Sequence, residues 1–161
     1  MSMFGNLIRG TIAGTVATWA MDIVTTGMMA GQPESVSSRE KSARPNGKSS
    51  VDNLIDLVTE PLGWTPDPSQ REMLERAIHY GLGAVPGAGY AVVRRYVPFL
   101  GAWNGVVYGF LLWIVNDEYV ATALGIAGPP DAYPPETHLR GLVGHIALGV
   151  TTDTTLDILG A

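Results

Sequence analysis

Cysteine is absent from this chain of 161 residues. Its absence excludes disulfide bonds, thiolate metal ligands and cysteine nucleophiles. Charged residues are also scarce at 16%, compared with roughly 25% in an ordinary soluble domain. The net charge is −5, and the longest basic run is the pair Arg94-Arg95. This charge pattern argues against a nucleic-acid partner.

The sequence also lacks the short motifs that identify common enzyme classes. It contains no phosphate-binding loop, no dinucleotide fingerprint, no H-E-x-x-H pair and no E-x-x-H di-iron motif. Such motifs place nucleotides or metal ions in soluble enzymes. The sequence therefore gives no support for catalysis, and these motifs identify no cofactor.

Long apolar runs are what the chain has instead. A helix that crosses a membrane needs about 20 mostly apolar residues, and four runs approach that length. They predict an all-α, single-domain integral membrane bundle over residues 1–161, with the lipid bilayer as its surroundings. We place the predicted transmembrane helices at about 7–30, 73–93, 99–116 and 138–159.

A polar loop at 31–68 separates the first two apolar runs. Within it, Val51, Leu54, Ile55 and Val58 recur at helical spacing. This pattern predicts a short amphipathic helix that lies on the membrane surface or against the bundle.

Glycine is abundant, with 20 residues, and much of it falls inside the apolar runs. Small residues spaced four apart let helix backbones approach closely, which drives packing where lipid offers no hydrophobic force. The pattern predicts a tight bundle or a homo-oligomer. The glycines concerned are Gly10 and Gly14, Gly83 and Gly87, and Gly101, Gly105 and Gly109.

Polar residues inside these apolar runs form the candidate site. An acidic residue in an apolar helix normally faces the bundle interior or water, and Asp22 is such a residue. Because successive helices run antiparallel, counting along each helix places all three histidines of the chain near one end of the bundle. The predicted cluster comprises Asp22, His79, Asp117, Glu118, His138 and His145.

Three interpretations of this cluster remain open. The first is hydrogen bonding between helices, which fixes the bundle and needs no further purpose. The second is a proton or ion pathway, since Asp, Glu and His chains form relays within membranes. The third is a metal site with His79, Glu118 and His145 as ligands, because imidazole and carboxylate suit zinc or iron. A haem held between His79 and His145 is a variant of the third.

Four stretches of the second half resemble the YagU-like family of bacterial inner-membrane proteins. They are Ala77-Ile-His-Tyr-Gly81 with Gly87-Ala-Gly-Tyr90; Gly105-x-x-x-Gly109-x-x-x-Trp113; Asp117-Glu with Leu124-Gly125 and Pro129-Pro130; and Glu136-x-His138 with Gly144-His145.

The resemblance implies a bacterial inner membrane location, no assigned biochemical activity and a general link to acid tolerance. In that family the residue before the glutamate is often histidine, whereas here it is Asp117, which weakens a metal site. We expect a structural or accessory subunit of a larger membrane complex. The alternatives are a proton- or ion-conducting protein and a metal- or haem-binding one.

Overall fold

The structure is a computed structural model and describes residues 2–161. These residues form helices joined by turns and short 3₁₀ segments, with no β-strand among them. The all-α prediction is confirmed. The helices are α1 (Met3–Ala30), α2 (Glu34–Ala43), α3 (Ser50–Thr59), α4 (Pro68–Val93), α5 (Val106–Trp113), a π-helix (Ile114–Val120), α6 (Ala121–Ala123) and α7 (Pro135–Ile158).

Across residues 2–161, none of the helices combines the length and the apolar character needed to cross a bilayer. The observed helices therefore do not support the prediction of four transmembrane helices. The apolar character of α1 is lowered by Arg9, Asp22 and several threonines. The third apolar run is divided between a 3₁₀ segment, a turn, α5 and the π-helix.

A turn between α4 and α5 explains why the predicted helix at 99–116 is wrong as far as Gly105. Trp103, Asn104 and Gly105 have φ values of 53°, 57° and 82°, in the left-handed region that interrupts a right-handed helix. The amide of Asn104 donates to Thr154 Oγ1 at 2.9 Å. Helix α5 therefore begins only at Val106.

Helices α1 and α4 pack antiparallel through glycine. A Cβ built on Gly10 would meet Ala88 Cα at 2.6 Å, and one built on Gly87 would meet the Gly10 carbonyl oxygen at 2.6 Å. Likewise, Gly14 lies against the carbonyl of Gly83. The predicted close approach of these glycines is confirmed.

A second glycine contact joins α5 to α7. Gly105 and Gly109 lie against the backbone of Gly149 and His145 on α7. Gly101 precedes α5 and lies instead beside the hydroxyl of Tyr90. The core between these closely packed backbones consists of alanine, tyrosine and leucine side chains. This core comprises Ala13, Ala17, Tyr90, Ala91, Tyr108, Leu148 and Leu156.

The predicted polar loop is largely helical and packs against one end of the bundle. Its amphipathic helix is present as α3, but the buried residues are Asn53, Ile55 and Thr59, whereas Val58 is 55% exposed. The side-chain amide of Asn53 donates to the carbonyl of Ile126 at 3.1 Å. Because this hydrogen bond keeps Asn53 in the interior, the buried face of α3 is partly polar, whereas the sequence predicts a purely apolar face.

The opposite end of the bundle is fixed by Arg94 at the end of α4. Its guanidinium donates to Asp153 at 2.5 Å and to Asp157 at 2.6 Å, both on α7. Tyr90 donates its hydroxyl to the same Asp153 carboxylate. Asp153 is buried, so these partners stabilise a charge that would otherwise be costly to remove from water.

Candidate functional site

A cavity of about 410 Å³ lies at the end of the bundle where α1 ends and α4 begins. Its walls come from all seven α-helices, from the π-helix and from the loop between α6 and α7. Met21, Leu82 and Leu148 give one side an apolar surface. The titratable residues that line the cavity are Glu40, Arg44, His79, Asp117, Glu118, Tyr133, His138 and His145.

The first histidine–carboxylate pair joins α1 to α4. Nε2 of His79 lies 2.8 and 3.0 Å from the two carboxylate oxygens of Asp22. The side chains are 40% and 37% exposed, respectively. Asp22 is not itself part of the cavity lining, but it holds a histidine that is.

The π-helix brings two adjacent carboxylates to α7. Asp117 Oδ2 lies 3.5 Å from Nδ1 of His145, and Glu118 Oε1 lies 2.6 Å from Nδ1 of His138. The other ring nitrogen of His138 lies 2.9 Å from the carbonyl oxygen of Pro130. Short π-helical segments are frequently found at functional sites, and no residue pattern in the sequence predicts this one.

Asp117 differs electrostatically from the other carboxylates of the cavity. Its removal from bulk water, reinforced by the neighbouring charge of Glu118, raises its pKa above the ordinary aspartate value, although His145 acts in the opposite direction. Nδ1 of His145 is already within 3.0 Å of the Gly141 carbonyl oxygen. Asp117 therefore has a weaker basic partner than Asp22 or Glu118.

Sequence reasoning missed a buried ion cluster on α2 and α7. Glu40 accepts hydrogen bonds from Arg140 and Arg44, each at 2.7 Å. Burial alone would raise the pKa of Glu40, but the two guanidinium groups outweigh it and lower the pKa. In the sequence, the spacing of four residues between Glu40 and Arg44 is compatible with an ion pair on a helix. It gives no indication of the contact between Glu40 and Arg140.

Gly141 explains why α7 approaches the cavity so closely. A Cβ built there would meet Trp113 Nε1 at 3.1 Å and Asp117 Oδ2 at 3.3 Å. Trp113 lines the cavity together with Asp117. Neither Gly141 nor Trp113 was among the residues predicted to form the cluster.

The predicted ligand triad of His79, Glu118 and His145 is not assembled as a metal site. Among residues 2–161, no group of three or more His, Cys, Asp or Glu side chains is arranged to hold a metal ion. Each of these residues instead faces a different partner, namely Asp22, His138 and Asp117. The histidines line one cavity in three separate pairs.

The fold and the site together define an all-α protein with a histidine- and carboxylate-lined cavity at one end of its bundle. Residues 64–154 match a family described as a protein of unknown function, DUF1440. The chain belongs to this family, in agreement with the resemblance to a group without an assigned activity. No curated protein and no solved structure matches the chain.

Proposed function

We propose that this chain is a small membrane protein that acts as a structural or accessory component, without catalysis of its own. The bacterial inner membrane is the location that the YagU-like resemblance favours. The observation that carries the proposal is the large apolar surface that the bundle leaves uncovered. Extensive exposed apolar surface indicates contact with lipid or with a partner protein.

Helix α1 supplies the clearest part of this surface. One face packs on α4 and α7, whereas the side chains of Ile8, Ile12, Val16, Trp19 and Ile23 are 46, 47, 41, 59 and 55% exposed. The spacing of four and three residues places them on one outward stripe. A stripe of this kind is costly in water and favourable against lipid tails.

Exposed aromatic residues lie at both ends of the bundle. Tyr96, Phe99 and Trp103, in the turn between α4 and α5, are 80, 67 and 80% exposed. Trp64, before α4, and Tyr119, in the π-helix, are 42 and 71% exposed at the other end. Tyrosine and tryptophan concentrate at the two interfaces of a membrane, so this distribution supports lipid as the covering material.

Membrane fractionation tests the proposal. We expect the wild-type chain to sediment with membranes and to stay there after an alkaline carbonate wash. Ile12→Glu combined with Val16→Glu should move most of the chain into the supernatant, because it places two charges on the stripe that contacts lipid. The control Ser38→Glu changes an exposed position of α2 and should have no effect. Wild-type protein in the soluble fraction would contradict the proposal, whereas release only by detergents that dissociate complexes would favour a protein partner.

A proton or ion pathway is the second candidate function, and the three histidine–carboxylate pairs around one cavity favour it. Histidine changes charge near neutral pH, and such pairs can accept and pass on protons. We expect pH-driven flux in proteoliposomes, and we expect Asp22→Asn to abolish it by removing the carboxylate beside His79. The control Asp131→Asn alters an exposed loop carboxylate. Flux that is equal in both variants would rule out a path through Asp22.

A further inference from the structure

The carboxylates around the cavity differ in whether they accept a hydrogen bond from a basic side chain. Glu40 is neutralised by Arg140 and Arg44, and Glu118 lies 2.6 Å from His138. Asp117 accepts no hydrogen bond from any side chain or backbone amide of residues 2–161, and its nearest base is His145 at 3.5 Å. The cavity therefore contains one carboxylate that still lacks a close donor.

Asp117 is also accessible from the cavity. Its side chain keeps 43% of its accessible surface while lining the cavity wall. A carboxylate that accepts no hydrogen bond and remains open to a ligand gains from a cation that enters beside it.

An aromatic ring lies next to this carboxylate. Trp113 and Asp117 are four residues apart, and both touch α7 at Gly141. The Trp113 atoms nearest to Gly141 are Nε1 and Cδ1, on the edge of the indole ring, and the ring adds aromatic surface to the cavity wall. Met21, Leu82 and Leu148 complete the wall with apolar surface.

We propose that this cavity binds a small organic cation, its charged nitrogen paired with Asp117 and its apolar body against the wall formed by Trp113, Met21, Leu82 and Leu148. The volume of about 410 Å³ falls within the ordinary range of small-molecule sites. A compact metal cation does not fit this lining, because Asp117 is the single carboxylate of the cavity that is free of a close basic partner. The inference depends on the cavity alone and requires neither membrane location nor proton movement.

Binding of benzyltrimethylammonium to the purified full-length chain tests this inference. This probe is permanently charged and carries no proton to transfer, so the result is separate from any proton pathway. Its neutral carbon analogue, neopentylbenzene, has the same shape. We expect saturable binding of the charged probe by calorimetry or by quenching of tryptophan fluorescence, and at least about tenfold weaker binding of the neutral analogue.

Asp117→Asn preserves the size of the side chain and removes its charge. We expect it to weaken binding of benzyltrimethylammonium by at least about tenfold and to change thermal stability little, because the carboxylate accepts no hydrogen bond and its one charged partner, His145, is 3.5 Å away. Gly141→Ala should also weaken binding, because its methyl group displaces Trp113 and Asp117. The exposed control Asp131→Asn should bind as the wild type does.

Three outcomes would overturn the inference. They are the absence of saturable binding to the wild-type chain, equal affinity for the charged and neutral probes, and unchanged affinity in Asp117→Asn. If Asp117→Asn proves unfolded by circular dichroism, the comparison of the two probes on the wild-type protein decides the question by itself.

Discussion

Gly87→Ala should lower the free energy of unfolding by about 3 kcal/mol, at the upper end of what overpacking costs. A Cβ at this position would lie 2.6 Å from the carbonyl oxygen of Gly10 and 2.8 Å from the Cα of Gly14. Both are backbone atoms, which cannot rotate away as a flexible side chain can. The two helices must therefore separate along their contact, and the small-residue core between them loses its packing.

The same helix offers a matched control two residues away. A Cβ built on Gly89 would have no neighbour within 4 Å. Gly89→Ala should therefore be neutral or stabilise the protein by roughly 0.5–1 kcal/mol, since alanine is the better helix former. Thermal unfolding followed by circular dichroism should show Gly87→Ala melting roughly 6–12 °C lower and Gly89→Ala melting at or above the wild type. If both variants melt together, the α1–α4 contact is not as close as the structure shows.

The glycine contacts of α1 and α4 were predictable because both helices follow their apolar pattern closely. Spacing of four residues then identifies which backbones can meet, without knowledge of the rest of the fold. The contact of α5 with α7 was predictable from the sequence on one side only. Gly105 and Gly109 were predicted to pack, but their partner Gly149 lies in a helix whose polar threonines obscured the pattern.

The turn at Trp103 and Asn104 could not be predicted from local propensity. Non-glycine residues rarely adopt positive φ, so an apolar run that contains Phe99, Leu100 and Trp103 favours a continuous helix. The close packing of Gly105 on Gly149 and the hydrogen bond from Asn104 to Thr154 instead support the left-handed turn. Tertiary contacts therefore override the helical preference of this segment.

For the cavity too, spacing along each helix predicts part of the arrangement, and contacts between distant residues determine the rest. Counting along antiparallel helices predicts that the three histidines lie near one end of the bundle, and the structure places all three along one cavity. The partners of each histidine depend on side-chain direction. The π-helix changes that direction at Asp117 and Glu118, and no feature of the sequence predicts a π-helix there.

The Glu40–Arg140 pair is the extreme case, because its members are 100 residues apart. Charged residues in a polar stretch ordinarily lie in solvent, so the sequence predicts a polar loop at 31–68. Burial of this ion pair fixes α2 against α7 and makes part of that loop a wall of the cavity.

Glu40→Gln should destabilise the protein by about 3 kcal/mol, the lower end of the range for breaking a buried ion pair. The Glu40 and Arg140 side chains are only 8% and 11% exposed. Glutamine can still accept a hydrogen bond, but it leaves the guanidinium of Arg140 as an uncompensated buried charge. We expect a lower melting temperature and faster cleavage by trypsin at Lys41, because α2 detaches from α7. The control Glu72→Gln, in a pair whose side chains are 62% and 74% exposed, should cost less than about 1 kcal/mol.

The same pair predicts how the attachment of α2 responds to pH. The folded state lowers the pKa of Glu40 below its ordinary value of 4.5. A depressed carboxyl pKa contributes stability that is complete above the unfolded value and is lost as the pH falls through the folded value. Protection of the backbone amides of α2 from hydrogen exchange should therefore decline below about pH 4.5 in the wild type. Glu40→Gln has no carboxyl to protonate there, so its low protection should change little over the same interval. An equal decline in both proteins would assign the acid response to other carboxylates, such as Asp52 and Asp56 beside Arg71.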